Sequence, residues 1–288
     1  VVPLAAVAAW LALAVAAAAG AQDQPDVDEL LMRVGERVAE FYNRAKNVVC
    51  IEKSTVQAVD LNNSTVGFPR TVESELHVDA GQTPGEAVFV RNVRKVNGRV
   101  PRERESKDRA GCTDPNPLTS TPLAFLLPSH RSEYQFTAAG IGKDRNRPAL
   151  LIDFASVDRR SIPVLIEDPN GRDDCFDWSG HIASKGRVWV DADTDDVLRV
   201  DRWLPGPVDV KVPVLLERRY HFDHWIALVR DDLTIRYQAV AFTDPDEVLL
   251  LPESISSFTV IRGGLQSTRR SQTFTDYKRF VTNGKVVD

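Results

Sequence analysis

Three groups of side chains in this sequence have the types and spacing that chemistry uses. Asp191-Ala192-Asp193-Thr194-Asp195 has the acid spacing that opens many calcium loops. A hard cation takes about six to eight oxygens, and the helix-loop-helix form of such a loop needs Gly at its sixth position and an acid at its twelfth. Those positions hold Asp196 and Arg202, so the stretch reads as a polar turn whose carboxylates bond their own backbone. His221-Phe222-Asp223-His224 invites a zinc reading. On a strand, positions three apart point to opposite faces, and His77, His130 and His181 stand singly, so no third ligand is supplied. The pairs Ser129-His130 and Ser179-Gly180-His181 lack the Gly-x-Ser-x-Gly elbow and the strand-turn-helix setting of a nucleophilic serine. Cys50 lies between Val49 and Ile51, an apolar setting that raises a thiol pKa. No phosphate-cradling loop occurs, and 41 acids leave carboxylate pairs undetermined by spacing. We expect no catalytic residues, no metal site and no cofactor.

The groups better suited to binding lie in a long insertion, 101–131. After a mixed-charge run, Arg102 to Arg109, comes Thr121-Pro122-Leu123-Ala124-Phe125-Leu126-Leu127-Pro128. Thr121 caps, Pro122 suits the first helical position and Pro128 stops the helix, which predicts a short apolar helix. It is either a lid over a cavity or a plug in one end of a core. If it is a lid, Leu123, Phe125, Leu126 and Leu127 line the ligand site.

These residues need a scaffold. Asp26 with Glu29 fits a capping box. Leu31, Val34, Val38, Phe41 and Ala45 fall on one face at helical spacing, opposite Arg33, Glu36, Arg37 and Glu40. From Val48 the pattern turns to period two. Val72, Ser74, Leu76 and Val78 alternate with Thr71, Glu73, Glu75 and His77, and Ala87 to Val96 closes on Asn97-Gly98. Tyr134 to Thr137, Ala149 to Phe154, Gly186 to Val190, Val197 to Trp203, Arg218 to Phe222, Thr234 to Phe242, Ser254 to Arg262 and Gln272 to Val281 continue the series. That gives one helix followed by about ten strands. The fold class is α+β, mainly antiparallel: a curled sheet, or half-open barrel, around a long N-terminal helix with a short covering helix.

Val1 to Ala19 carries no charge, and Ala19-Gly20-Ala21 precedes a polar run, as in a secretory signal and its cleavage site. The expected organisation is a signal peptide over 1–21 with a truncated basic start, then one β domain over 22–288. A periplasmic or secreted location follows, with no stable transmembrane anchor after cleavage. Of three cysteines, Cys112 and Cys175 sit in polar, loop-like stretches and are expected to pair, leaving Cys50 as a small buried hydrophobe. A net charge of −5 argues against a nucleic-acid partner. With 43% apolar residues the chain has enough material for a core.

The order of signal, long helix and antiparallel meander resembles the periplasmic lipoprotein-carrier (LolA/LolB-like) superfamily. The Gly186–Val200 hairpin is similar to one common in that superfamily. Pro252-Glu253-Ser254-Ile255 and Phe274-Thr275-Asp276-Tyr277-Lys278-Arg279-Phe280 resemble segments of uncharacterised exported bacterial proteins. The chain is longer than a true carrier, and no family ligand contact maps onto it. The resemblance implies a half-open barrel that binds a hydrophobic small molecule, a lipid or a lipoprotein without catalysis. Two other functions stay open: a structural or regulatory protein-interaction module of the envelope, and an all-β hydrolase or metal enzyme.

Overall fold

The computed structural model describes residues 26–45, 47–80, 87–102, 122–158, 161–168 and 175–279. The 1–21 segment, Cys112 and Thr121 lie outside them. Helix α1 spans Val27–Arg44. The Asp26 carboxylate accepts the Asp28 N–H at 3.0 Å, while Glu29 pairs with Arg33 instead of closing the expected box. Leu30, Leu31, Val34, Gly35, Val38 and Tyr42 are its buried face.

Among the described residues, thirteen strands follow: β1 (Val48–Val59), β2 (Thr65–Ala80), β3 (Ala87–Val96), β4 (Tyr134–Asp144), β5 (Arg147–Ser156), β6 (Val164–Glu167), β7 (Phe176–Ser179), β8 (Lys185–Asp191), β9 (Val197–Trp203), β10 (Val208–Lys211), β11 (Trp225–Thr243), β12 (Asp246–Arg262) and β13 (Ser267–Arg279). Helix α2 (Val214–Tyr220) lies between β10 and β11. The main path runs β3-β2-β1-β13-β12-β11-β9-β8-β5-β4, and its ends do not join, so the sheet is not a closed barrel. Strands β6, β7 and β10 branch from β11, and the pairing of β10 with β6 is parallel where the other pairings are antiparallel.

Leu76 of β2 and Phe136 of β4 belong to one core with α1. Their strands stand eight places apart in the path, ~38 Å in a flat sheet. An 18-residue helix is only ~27 Å long. The sheet therefore curls about the helix. Its inner face is drawn from alternate residues: Cys50 on β1, Val188 and Val190 on β8, Leu233, Ile235 and Tyr237 on β11, and Phe274 on β13.

Two expectations need correction. Arg218 to Phe222 is not a strand: α2 occupies most of it, and His221 closes the helix in the left-handed region at φ 58°. Pro213 supplies the carbonyl that accepts the Leu216 and Glu217 N–H groups, and Leu216 and Tyr220, one turn apart, face a second core with Leu165, Val210 and Ile226. The short α-helix after Pro122 is a three-residue 3₁₀ turn, Ala124–Leu126. The cause is tertiary. The Leu123 N–H donates to the buried Tyr42 hydroxyl at 2.9 Å, and Arg131 donates to the carbonyls of Leu126 and Leu31. Gly35 permits this approach, because a Cβ there would lie 2.8 Å from Arg131 Nη2 and 3.2 Å from Leu126 O.

Burial pushes the Tyr42 phenol well above its ordinary range, so the hydroxyl stays protonated while its oxygen accepts the Leu123 N–H. Replacing Tyr42 by Phe strands the Leu123 N–H in the core, which costs about 1–3 kcal/mol. Urea unfolding of Tyr42→Phe should show a lowered midpoint with an unchanged m value.

Candidate binding site

Alternation on β4 and β5 sets Phe136 opposite Phe154 and Tyr134 opposite Ser156. Phe154 also lies opposite Gly186 of β8, where a Cβ would meet the Phe154 ring at 2.6 Å and the Asp201 carbonyl at 2.0 Å. Glycine at this strand position lets the ring lie flat on the sheet. Phe125, carried by the 3₁₀ turn, then completes an aromatic cluster, with centroids 4.6 Å from Phe154 and 5.6 Å from Tyr134.

Beside this cluster lies an open cleft of about 180 Å³. Phe125, Phe154 and Leu233 give it apolar walls, and His130, Glu133, Ser184 and Arg202 a polar rim. His130 Nδ1 is 2.9 Å from Glu133 Oε1. Arg202 pairs with Asp231 at 3.4 Å. The Tyr134 phenol is raised chiefly by burial, then by the Glu133 charge, against hydrogen bonds to Ser184 and Ser156. An apolar recess with a few converging polar groups suits an amphiphile: the walls take hydrocarbon and the rim a polar head.

Of the residues singled out from the sequence, Phe125 lines the cleft. Leu123 and Leu126 are buried in the core and Leu127 is partly buried against it, and none of the three lines the cleft. Tyr134, Phe154, Arg202 and Leu233 come from four strands. Their convergence has no signature in the linear sequence beyond the alternation that turns them inward.

The chemically capable groups are dispersed. Asp191 Oδ1 accepts the N–H groups of Asp193 and Thr194 at 3.0 Å, and Asp195 pairs with Arg33 of α1 at 2.9 Å, so the acidic turn folds on itself and holds the helix. His224 bonds Glu217 at 2.6 Å and His77 bonds Glu75 at 2.8 Å. The strand premise for His221 and His224 does not hold, since a helix end and turn carry them. Among the described residues, no three His, Cys, Asp or Glu side chains converge where a metal ion could sit. Cys50 is free and buried, and burial followed by the Glu52 charge pushes its thiol up to about 12. Cys175 is buried and is not a free thiol; Cys112 lies outside the described residues.

A second polar group occupies the other half of the inner face. Glu52, 1% exposed, accepts from Arg91 at 2.5 and 3.2 Å and from Gln272 Nε2 at 2.6 Å. The ion pair reaches from edge strand β3 across β2 to β1 and pins the edge to the sheet.

No family model matches the chain, and no curated protein matches it. Solved structures are similar to it over most of its length. A LolA superfamily protein from Nitrosomonas europaea aligns over 89% of this chain and 96% of its own, with 10% identity and a TM-score of 0.33. A DUF1329 family protein from Desulfovibrio piger covers 87% and 93%, with 8% identity and a TM-score of 0.39. MucB in complex with the periplasmic part of MucA covers 89% and 100%, with 11% identity and a TM-score of 0.23. Similarity at this level leaves the function to be read from the chain's own residues.

Removing one partner of a buried pair leaves an uncompensated charge, at a cost of about 3–5 kcal/mol. Arg91→Met should therefore lower stability by that order in chemical denaturation. The double variant Arg91→Met, Glu52→Gln should recover a large part of the loss, because the orphaned charge is gone. Strict additivity of the two single changes would show the pair to be uncoupled.

Proposed function

We propose that this chain is an exported, non-catalytic binding protein that holds the apolar part of a lipid or acylated partner at the cleft beside Phe125. The observation that supports this most directly is the cleft itself: aromatic and aliphatic walls from Phe125, Phe154 and Leu233 beneath a rim that includes Arg202. Its volume of about 180 Å³ suits one end of a hydrocarbon chain; drug-sized ligands occupy roughly 300–1,000 Å³. A longer chain is admitted by displacing the 3₁₀ turn, and Leu123, Leu126 and Leu127 then join Phe125 as lining. Arg202 at the rim, held by Asp231 at 3.4 Å, offers its remaining N–H groups to a polar head.

Titration with a fluorescent fatty acid tests this. Saturable binding is expected, weakened by roughly tenfold or more in Phe125→Asp and less in Arg202→Gln. Circular dichroism establishes that each variant is folded. Absence of saturable binding, or binding indifferent to Phe125→Asp, defeats the proposal.

Export carries a covalent corollary. We infer that Cys112 and Cys175 are joined, with the signal over 1–21 removed, in a periplasmic or secreted protein. With three cysteines in the chain, the unfolded, unreduced protein should then present one reactive thiol, Cys50, and the folded protein none. A count of three thiols in protein purified from the periplasm would refute the bridge.

A second reading is an envelope protein-interaction module. It is favoured by Leu61, Val66 and Phe68, which expose apolar side chains at one end of β1 and β2. A partner bound there would leave fatty-acid binding at Phe125 untouched, and the same titration separates the two readings.

A further inference from the structure

On the face of the sheet turned away from α1, two neighbouring depressions of about 620 and 660 Å³ share Pro69 as a wall. Their floor is built by strand register. Thr234 of β11 lies opposite Ser256 of β12, Ser256 opposite Ser271 of β13, Ser271 opposite Thr55 of β1, and Thr55 opposite Thr71 of β2. Five hydroxyl side chains thus stand in one row across five adjacent strands, ~4.8 Å apart and ~19 Å from end to end. Thr55 Oγ1 and Thr71 Oγ1 are 3.2 Å apart, which places both on the same side. Ser256 and Ser271 are exposed.

The flanks of the row are aromatic and cationic by excess: five lysines and arginines line the two depressions against two carboxylates, Asp232 and Glu73, and Glu73 pairs with Lys95. The Arg269 guanidinium lies 4.9 Å from the Phe258 ring centroid, and Arg230 lies 4.8 Å from the same ring. Arg230 is paired with Asp232. Arg269 is exposed, and among the described residues it has no carboxylate within 4.0 Å. Lys53, in the next row, is also exposed. Beside the shared wall, Gly67-Phe68-Pro69 bulges out of β2 opposite Gln57, whose amide donates to the Val66 and Gly67 carbonyls at 2.7 and 3.0 Å. Phe68 is 100% exposed at the crest of that bulge.

We propose that this trough binds an extended, carboxylated glycan strand. The strand repeat of ~4.8 Å is close to the rise of one residue in an extended β-1,4-linked glycan, so successive sugars meet successive hydroxyls of the row. Ser, Thr and Gln exchange hydrogen bonds with sugar hydroxyls in both senses, since hydroxyl groups donate and accept. Phe68 offers a bare ring to the C–H face of a pyranose, and Arg269 and Lys53 pair with carboxylates. The chain as a whole carries a net charge of −5, so attraction to an acidic polymer has to come from such local cations. This site is independent of the cleft at Phe125 and lies on the opposite face of the sheet.

Affinity electrophoresis in gels containing carboxymethyl cellulose tests the proposal, with polyacrylate as a polyanion lacking sugars. Retardation by carboxymethyl cellulose is expected to exceed that by polyacrylate at equal charge density. Ser271→Glu, Arg269→Glu and Phe68→Ser should each weaken it, the charge-introducing changes by about tenfold or more. All three residues are exposed, and Phe125→Asp on the other face should leave retardation unchanged. No retardation, equal retardation by polyacrylate, or retardation indifferent to Ser271→Glu would overturn the glycan assignment.

Discussion

The inner face of this protein depends on one buried stripe. Leu30, Leu31, Val34, Val38 and Tyr42 of α1 meet inward residues of strands from β2 to β13 in a single core. Each such side chain contributes about 1.5–3 kcal/mol by leaving water, an upper estimate against a compact unfolded chain. Without the helix, the inner faces of these strands would be wet. The ion pairs that fix its position are weaker. Arg33 to Asp195 and Arg44 to Glu247 join the helix to the β8–β9 and β11–β12 hairpins, but both arginines are about two-fifths exposed. At that exposure a pair is worth about 0–1 kcal/mol. Burial therefore supplies the stability, and the arginines select the orientation.

The same division explains what the sequence made legible. Long periodic segments were: the stripe from Leu31 to Ala45, and the alternation of Val72, Ser74, Leu76 and Val78, needed only the 3.6 and 2.0 periods to be placed. Strands β6, β7 and β10, four residues each, are too short to display a period, and they depend on packing around Leu165 and Val210. At Arg218 to Phe222 the local alternation misled, because Pro213 and the second core decide the conformation there. At Leu123 to Leu127 the capping signals were sound helix chemistry, yet Arg131 takes the Leu126 carbonyl that a longer helix would have paired, and Tyr42 ties down the Leu123 N–H of the first turn. The candidate cleft was legible only at Phe125. Register between β4 and β5, and the notch at Gly186, had to be seen to bring Phe154 and Tyr134 beside it.

Alternation also separates two surfaces with different chemistry. Odd and even residues of β1 diverge from Cys50 to Thr55: Cys50, Glu52 and Ser54 turn inward and are buried, while Lys53 and Thr55 turn outward. The inner face is apolar under α1 and polar under β1 to β3, where Glu52, Arg91 and Gln272 must satisfy one another because water is excluded. Buried polar networks of this kind are costly when incomplete. Gln272 Oε1 and Ser74 Oγ lack partners among the described residues, so the network sits near its limit of satisfaction. The outer face has no such constraint, and the exposed Ser256 and Ser271 of its hydroxyl row can hydrogen-bond with whatever lies against them.

Where the inner face could open follows from comparing its two covers. Displacing α1 exposes Leu30, Leu31, Val34, Val38 and Tyr42 together and dissolves the shared core. Displacing the segment around Ala124–Leu126 exposes Leu123 and Leu126, takes Phe125 out of its aromatic cluster and breaks the contacts to Tyr42 and Leu31. Three apolar side chains and a few hydrogen bonds still amount to less than the five buried side chains of the helix. A hydrocarbon chain entering the space vacated by the leucines would replace much of the lost apolar contact, leaving mainly the hydrogen bonds as the net cost. Of the two covers, this segment is therefore the one whose displacement costs less, and it carries Phe125 into the lining of the cleft.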